Sequence, residues 1–230
     1  MEDQIIYEDN HIIIVNKRPS QIVQGDKTGD EPLSEMVKKY IKDKYNKPGD
    51  VFLGVVHRLD RPVSGLIIFA RTSKALTRLN QMLKEHTIKK VYWAVVKEKP
   101  AEKTGHLIHY IYRDTKKNKS FASIKERKNS KKAELIYRHI ASSDRYHLLE
   151  IELLTGRHHQ IRAQLAFIGC PIKGDIKYGY RRTNKDASIH LHAHTIEFLH
   201  PVKKGKMIFT APPPDDTVWN CFATGDMQKL

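Results

Sequence analysis

Short runs of β-branched and aromatic residues alternate with polar turns along this chain, and a few longer stretches carry apolar residues at helical spacing. Near the start, Ile5 to Tyr7 and Ile12 to Val15 flank the polar turn Glu8-Asp9-Asn10, which predicts a β-hairpin. From Pro32 to Tyr45 the apolar positions recur three and four residues apart with lysines between them. This spacing predicts an amphipathic surface helix.

The middle of the chain continues mostly with strand patterns. Val51 to Val56 reads as a buried strand, and a helix capped by Thr72 or Ser73 is predicted to run to about Glu85. Further runs of strand-forming residues are bounded by polar turns, which predicts mostly antiparallel pairing. These predicted strands are Leu66 to Ala70, Val91 to Val96, Ile108 to Arg113, Ser120 to Ile124, Ala133 to Ile140, Tyr146 to Leu154 and Met207 to Thr210.

A third predicted helix runs from Thr155 or Gly156 to Gly169, where Gly169-Cys170-Pro171 stops it. Its buried stripe is predicted to be Ile161, Leu165 and Ile168. His158 and Arg162 would then lie one turn apart on one side of the helix. After Ala211-Pro212-Pro213-Pro214, which is extended, the tail to Leu230 is expected to hold a short helix and a loose end.

Length and charge narrow the class of protein. A chain of 230 residues fits one large domain or two small halves. Lysine and arginine exceed aspartate and glutamate by 41 to 26, a formal charge of +15, which favours a polyanionic partner over a merely basic soluble protein. No apolar segment is long enough to span a membrane and Met1 to Gln4 does not resemble a signal peptide, so we expect a cytoplasmic protein. Cys170 and Cys221 are too few for a disulfide framework or a thiolate zinc site.

One carboxylate is surrounded by basic residues. Asp60 lies between Arg58 and Arg61, just after His57, and is followed by Ser64-Gly65 and an apolar run. Adjacent cations favour the charged form of a carboxylate, so Asp60 is expected to stay ionised and to suit nucleophilic chemistry. The competing interpretation is an aspartate at a surface turn, loosely paired with arginines.

Two other clusters have both a chemical and a structural interpretation. Lys116, Lys128 and further lysines lie in polar turns, in which Asn118 and Asn129 occupy expected turn positions. The lysines form either an electrostatic rim for RNA or an ordinary solvated surface. The other cluster consists of histidines that alternate along a predicted strand and share one face: His190, His192 and His194. A metal site there is the lesser interpretation, because acidic residues nearby are few.

The motif around Asp60 resembles the catalytic motif of the RNA pseudouridine synthases of the RluA type. It reads H-R-L-D, then S-G-L, an apolar strand and A-R-T before a helix. Further matching segments follow in the order that the family has them and together cover about residues 4 to 210. They are K-K-V-Y-W-A-V-V from Lys89, L-L-T-G-R-H-H-Q-I-R from Leu153, P-I-K-G-D-I-K-Y-G from Pro171 and L-H-A-H-T-I-E-F-L-H-P from Leu191.

This resemblance implies an α+β pseudouridine synthase fold: a bent, mostly antiparallel mixed sheet in two halves, flanked by helices and loops, with the active-site cleft between the halves. Residues 1–210 would form a single catalytic domain without the N-terminal S4-type domain of many relatives, and residues 211–230 a C-terminal tail. The implied reaction isomerises uridine in ribosomal RNA or tRNA to pseudouridine. Because substrate and product are isomers, no redox or group-transfer cofactor is needed. No metal and no nucleotide cofactor are expected either.

The resemblance also implies roles for individual residues. Asp60 would be the nucleophile, Arg162 would pair with it, and Tyr92 would stack on the uracil and assist loss of the C5 proton. From the residues alone, Tyr92 could equally be a core tyrosine and Arg162 an exposed helical arginine. The implied RNA-binding residues are Arg58, Arg61, Lys116, Lys128, Arg157 and His159. RNA is the expected partner, with no membrane, and the protein is expected to be a monomer.

The chain departs from the family pattern in three places. Arg18-Pro19-Ser20 follows Asn16-Lys17 where a proline and a glycine are common, Pro62-Val63 replaces Asp-Thr, and Gln164 stands where a histidine is common. Pro62 also removes a backbone donor beside Asp60. Two other functions fit the sequence less well: a catalytically inactive RNA-binding or ribosome-assembly protein on the same scaffold, and a metal-dependent hydrolase that uses the histidine cluster with His158 or His159.

Overall fold

The computed structural model describes residues 1–26, 28–223 and 228–229. The chain forms two compact units, one of Met1–Ile88 with His194–Pro212 and one of Lys89–Ala193 with Pro213–Leu230. In chain order the elements are β1 (Ile5–Glu8), β2 (Ile12–Lys17), α1 (Leu33–Lys44), β3 (Gly54–Val55), β4 (Ser64–Ala70), α2 (Ser73–Lys84), β5 (Lys89–Val96), β6 (Thr104–Asp114), β7 (Lys119–Ser123), β8 (Lys131–Ser142), β9 (His147–Leu153), α3 (Gln160–Phe167), β10 (Leu191–Leu199), β11 (Lys206–Thr210), α4 (Thr217–Ala223) and β12 (Gln228–Lys229).

The described strands outnumber the helices, and adjacent strands with a defined register run antiparallel. This confirms the predicted α+β class. Among the described residues, no helix is long and apolar enough to cross a membrane.

The first unit packs α2 on a small antiparallel sheet. β1 and β2 form the predicted hairpin, and β2 also pairs with β4, whose residues are all buried. α1 and α2 occupy the predicted stretches, and Thr72 caps α2 by accepting a hydrogen bond from the backbone N–H of Ala75 at 3.2 Å. Ile12 and Ile14 of β2, with Leu79 of α2, are part of the core between sheet and helix.

The predicted strand from Val51 to Val56 is wrong in length, because only β3 forms. β3 pairs antiparallel with the end of β4, where Gly54 faces Ala70. Residues before Gly54 would have to pair beyond Ala70, where the chain already turns at Thr72 into α2, so they have no strand beside them. Gly54 also lies against Leu76, where an added Cβ would come within 2.7 Å of the leucine side chain.

The second unit is an antiparallel sheet with the strand order β5, β9, β8, β6, β7. Each of these strands was predicted, with ends that shift by a few residues. Asn118 and Asn129 adopt the left-handed conformation in the turns that follow β6 and β7, as their sequence positions suggested. The short helix expected in the tail is α4, which contributes Trp219 and Phe222 to a buried cluster of this unit. The loose end falls largely on residues 224–227 and 230, outside the described residues.

The start of α3 was predicted wrongly. The helix begins at Gln160, after His159 in the left-handed conformation with φ of 53°. The Gln160 side chain explains this late start: its Oε1 accepts hydrogen bonds from the Thr155 hydroxyl at 2.8 Å and the Arg157 backbone N–H at 2.9 Å, and its amide donates to the Glu134 carbonyl at 3.0 Å. Residues 155–159 are therefore a loop held against β8, and His158 is not on the helix with Arg162.

Candidate active site

In the first unit, Asp60 begins a tight turn that leads into β4. Its backbone carbonyl accepts a hydrogen bond from the N–H of Val63 at 3.0 Å. The turn therefore uses the N–H of Val63, and Pro62 lies inside it without interrupting this bond. Asp60 is half-buried and lies four residues before the first residue of β4, Ser64.

Lys17, at the end of β2, holds this turn from inside. The side chain is completely buried, and its ammonium group donates hydrogen bonds to the carbonyl oxygens of Val63 at 2.5 Å, Arg18 at 3.0 Å and Arg61 at 3.1 Å. The carbonyl of Arg61 also accepts from the N–H of Ser20 at 2.9 Å. The carbonyls on both sides of Pro62 are therefore fixed to β2 and the loop that follows it.

Sequence reasoning missed the role of Lys17. A signal was present, since Lys17 is a charged residue at the end of the apolar run Ile12 to Val15. Burial lowers the pKa of Lys17 to about 7; the nearby Asp60 carboxylate raises it and Arg61 lowers it. Because the amino group of Lys17 binds two carbonyls of the Asp60 turn, the protonation state of Lys17 affects how the turn is held.

The pH dependence of stability is expected to report this buried lysine. Unfolded Lys17 binds its proton up to its ordinary pKa of 10.5, whereas folded Lys17 releases it near pH 7. Between about pH 7 and pH 10.5 the unfolded state thus binds more protons than the folded state, so the contribution of Lys17 to the free energy of unfolding rises with pH. Urea unfolding of wild type and Lys17→Met over this pH range measures the contribution as the difference between the two proteins. The surface variant Lys38→Met is the control. A wild-type minus Lys17→Met difference that stays flat with pH would contradict the lowered pKa.

The other residues of the Asp60 motif have distinct environments. The Nε2 atom of His57 accepts a hydrogen bond from the backbone N–H of Ile68 at 3.1 Å, so this ring is tied to β4. Arg58 is exposed, and Arg61 forms an ion pair with Asp30 at 2.7 Å. The guanidinium of Arg61 is therefore paired with the Asp30 carboxylate.

In the second unit, Arg162 forms a buried ion pair with Asp175. Its Nε and one Nη donate to the two carboxylate oxygens of Asp175 at 2.7 and 2.9 Å, and the side chains are 6% and 1% exposed. The guanidinium also lies 5.0 Å from the centre of the Tyr178 ring. The alternative interpretation of Arg162 as an exposed helical arginine is thus wrong, and Asp175 is a partner that sequence reasoning did not identify.

The predicted pairing of Arg162 with Asp60 stays a prediction, because the two residues belong to different compact units. Tyr92 lies on β5, pairs with Ile151 of β9 and is buried on the same face as Ala94 and Val96, as the strand pattern predicted. Its burial agrees with either a core role or a place in a closed site. Its contact with uracil therefore also stays a prediction.

A polar cluster surrounds Tyr178 in the same unit. The Tyr178 hydroxyl accepts a hydrogen bond from the N–H of Ser120 at 2.8 Å and lies 2.9 Å from Nδ1 of His159. His158 bonds to the Ser120 hydroxyl at 2.8 Å and stacks on His159, with ring centres 3.8 Å apart. These contacts hold both histidines beside the start of α3.

Of the remaining predicted RNA-binding residues, Arg157 is anchored by a hydrogen bond, whereas Lys116 and Lys128 are exposed in turns. Arg157 donates to the carbonyl of Lys132 at 2.9 Å, which anchors it to β8. Lys116 and Lys128 are exposed in the turns that follow β6 and β7. Gln164 is fully buried and its amide donates to the carbonyl of Leu107 at 3.2 Å.

The histidine cluster has structural partners. His190 bonds to Asn184 at 3.0 Å and to Asp216 at 3.1 Å, just before α4, and His192 is buried against the Trp219 ring. Within the part of the chain that the structure describes, no group of three or more histidine, cysteine, aspartate or glutamate residues is arranged to hold a metal ion.

Comparison with known proteins places these residues in a family. Residues 11–167 match the family described as RNA pseudouridylate synthase. The chain is 33% identical over 220 residues to the uncharacterized RNA pseudouridine synthase YlyB of Bacillus subtilis, covering 94% of this chain and 71% of that protein. It is 30% identical over 221 residues to the ribosomal large subunit pseudouridine synthase C of Vibrio cholerae, covering 92% of this chain and 66% of that protein.

The chain thus spans about two thirds of the length of these relatives. A solved structure of human RNA pseudouridylate synthase domain containing 4 shares the fold, with a TM-score of 0.78 over 96% of this chain and 92% of that one, at 21% identity. This confirms the predicted pseudouridine synthase fold. The chain therefore belongs to the RNA pseudouridylate synthase family, the isomerases that make pseudouridine in RNA.

Proposed function

We propose that this chain converts specific uridines of ribosomal RNA to pseudouridine, with Asp60 as the nucleophile. The observation that carries the proposal is the Asp60 turn: the motif that resembles the family's catalytic motif places a carboxylate on a turn that buried Lys17 holds by two carbonyls, those of Arg61 and Val63. A relative of similar sequence is named a ribosomal large subunit pseudouridine synthase, which favours ribosomal RNA over tRNA as the substrate.

The reaction needs no external reactant. The bond between N1 of uracil and C1′ of ribose breaks, a bond between C5 and C1′ forms, the proton on C5 is lost and N1 gains one. Asp60 either attacks C1′ and forms a covalent intermediate or removes the 2′ proton of the ribose. Both routes require an ionised carboxylate in a fixed position.

Arg162 is proposed to orient Asp60. A guanidinium carries five N–H donors, and Asp175 engages the Nε and one Nη of Arg162. Held in this way, the rigid guanidinium plane can bind a second carboxylate with its other edge. Asp175 would thereby act through Arg162 as a positioning residue, while Tyr92 would stack on the uracil.

The target uridine must leave the base stack before it can react. Enzymes that act on a base extrude the nucleotide and cover the cost of unstacking with contacts to the flipped base. Arg58, exposed beside Asp60, is proposed to fill the space that the uridine vacates. The monomeric state and cytoplasmic location expected from the sequence stay predictions.

Release of tritium from RNA labelled at C5 of uridine tests the proposed activity and substrate together. Unmodified ribosomal RNA and unmodified tRNA transcripts are offered separately to the wild-type protein, with and without chelator. We expect release from ribosomal RNA that chelator does not change. Release from tRNA alone would contradict the substrate, and RNA binding without release from either would support the inactive binding protein.

A further inference from the structure

The solvent-facing side of the β6–β7 hairpin carries a pair of aromatic rings. Tyr112 of β6 and Phe121 of β7 are direct cross-strand partners, so their side chains lie on the same face of the sheet. They are 40% and 43% exposed, whereas Ile111, which points to the other face, is buried. We call Tyr112 and Phe121 the aromatic pair.

The segment that carries the aromatic pair also concentrates positive charge. Residues 110–132 contain nine lysines and arginines against two acidic residues, an excess of seven, whereas the whole chain has an excess of 15. Nearly half of the net charge thus lies in a tenth of the chain. Tyr112 and Phe121 lie next to the turn with Lys116 and Lys117, which are exposed.

Lys119 connects the aromatic pair to the polar cluster around Tyr178. Its ammonium group lies 5.5 Å from the centre of the Phe121 ring and 5.1 Å from the centre of the Tyr178 ring. The Tyr178 ring in turn lies 5.0 Å from the guanidinium of Arg162. Rings and cations therefore alternate from the exposed hairpin to the buried Arg162 within one compact unit.

We infer that the aromatic pair is a stacking site for unpaired nucleotides of the RNA substrate. Exposed rings on a sheet can stack on bases, and surrounding lysines neutralise the phosphates. This inference deepens the proposed function and rests on it only in taking RNA as the substrate. The lysines alone would bind any RNA, whereas the rings add a preference for bases that are not paired.

The charge around the aromatic pair favours RNA over other occupants. A second copy of this chain carries the same net charge of +15 and the same excess of seven on this segment, so two such faces repel each other. Phosphates are the complementary ligand for the exposed lysines that flank the aromatic pair. Unpaired nucleotides also present the base faces that a duplex keeps buried in its own stack.

The test uses Tyr112→Ile and Phe121→Ile together in the full chain, since isoleucine keeps the strand propensity and removes both rings. We expect the double variant to bind oligouridine about 10- to 100-fold more weakly than wild type, because a stacked base contributes on the order of tenfold or more to affinity. Binding to an RNA duplex should change less than about twofold, and the salt dependence of oligouridine binding should stay the same, since no charge is removed. Fluorescence anisotropy at several salt concentrations measures all three.

Two control variants separate stacking from charge and from general loss of an aromatic side chain. Phe167→Leu removes a ring of similar exposure, 45%, at the end of α3, and should leave oligouridine affinity unchanged. Lys116→Gln with Lys117→Gln should weaken oligouridine and duplex binding alike and reduce the salt dependence. Equal loss of oligouridine and duplex affinity in the ring variant, or no loss of either, would overturn the inference.

Sedimentation and tritium release complete the test. A wild-type dimer that the ring variant converts to monomer would identify a second copy as the occupant and overturn the inference. Tritium release keeps the proposed function separate: wild type that binds oligouridine through the rings but releases no tritium refutes only the activity. Wild type that releases tritium while the ring variant keeps its oligouridine affinity refutes only the stacking site.

Discussion

Replacement of Asp60 by asparagine is expected to lower pseudouridine formation by at least about 10³-fold, because the amide has no anionic oxygen for attack on C1′ or for removal of the 2′ proton. The change keeps the size of the side chain, and the turn is held by backbone carbonyls that Lys17 binds. Folding and RNA affinity should therefore stay close to those of wild type. Tritium release from ribosomal RNA measures the rate, with circular dichroism and RNA anisotropy as the accompanying measurements.

Asp30→Asn is the matched control for this substitution. Asp30 is another aspartate of the first unit, and it forms an ion pair with Arg61, which flanks Asp60. If charge balance around Arg61 were enough to explain a loss of activity, both variants would lose it. Activity of Asp60→Asn within about tenfold of wild type would exclude the carboxylate as nucleophile and as base, since either role contributes at least about 10²-fold.

Replacement of Arg162 by methionine is expected to lower the free energy of unfolding by about 3–5 kcal/mol, because it leaves the Asp175 carboxylate buried without its cation. The Asp175 side chain is only 1% exposed, so water cannot compensate for the lost guanidinium. Asp175→Leu alone should also be costly, since it removes the carboxylate that accepts two hydrogen bonds from buried Arg162. Combining the two substitutions should recover part of the loss, because both charges of the buried pair are then removed together. Urea unfolding of the four proteins gives the interaction energy.

The surface pair of Arg138 and Glu150 in the same unit is the matched comparison. These side chains lie 2.8 Å apart but are 60% and 33% exposed. Arg138→Met is therefore expected to cost less than about 1 kcal/mol. An equally small cost for Arg162→Met would show that Arg162 and Asp175 are not buried together in solution. A separate measurement, tritium release by folded Asp175→Asn compared with wild type, reports whether Asp175 positions Arg162 for the reaction.

Most of the secondary structure follows from local sequence pattern. α2 is an example, since Thr72 caps it and its apolar residues recur at helical spacing within the same twelve residues. The hairpin of β1 and β2 and the antiparallel strands β5 to β9 were equally predictable, because each is bounded by polar turns. The predictions failed at β3 and at the start of α3. There the end of the element depends on a distant segment: the turn of β4 into α2 for β3, and the Glu134 carbonyl of β8 for α3.

The sequence by itself determined the family and the type of chemistry, because the motif around Asp60 and the later motifs consist of neighbouring residues in a fixed order. It also determined the basic character that suits RNA. Only the tertiary structure decided that Lys17 lies buried beneath the Asp60 turn, that Asp175 accepts hydrogen bonds from two donors of Arg162 and that Tyr112 and Phe121 are cross-strand partners. The physical reason is that burial, ion pairing and strand register join residues far apart along the chain, and no local pattern records which distant partner each will meet.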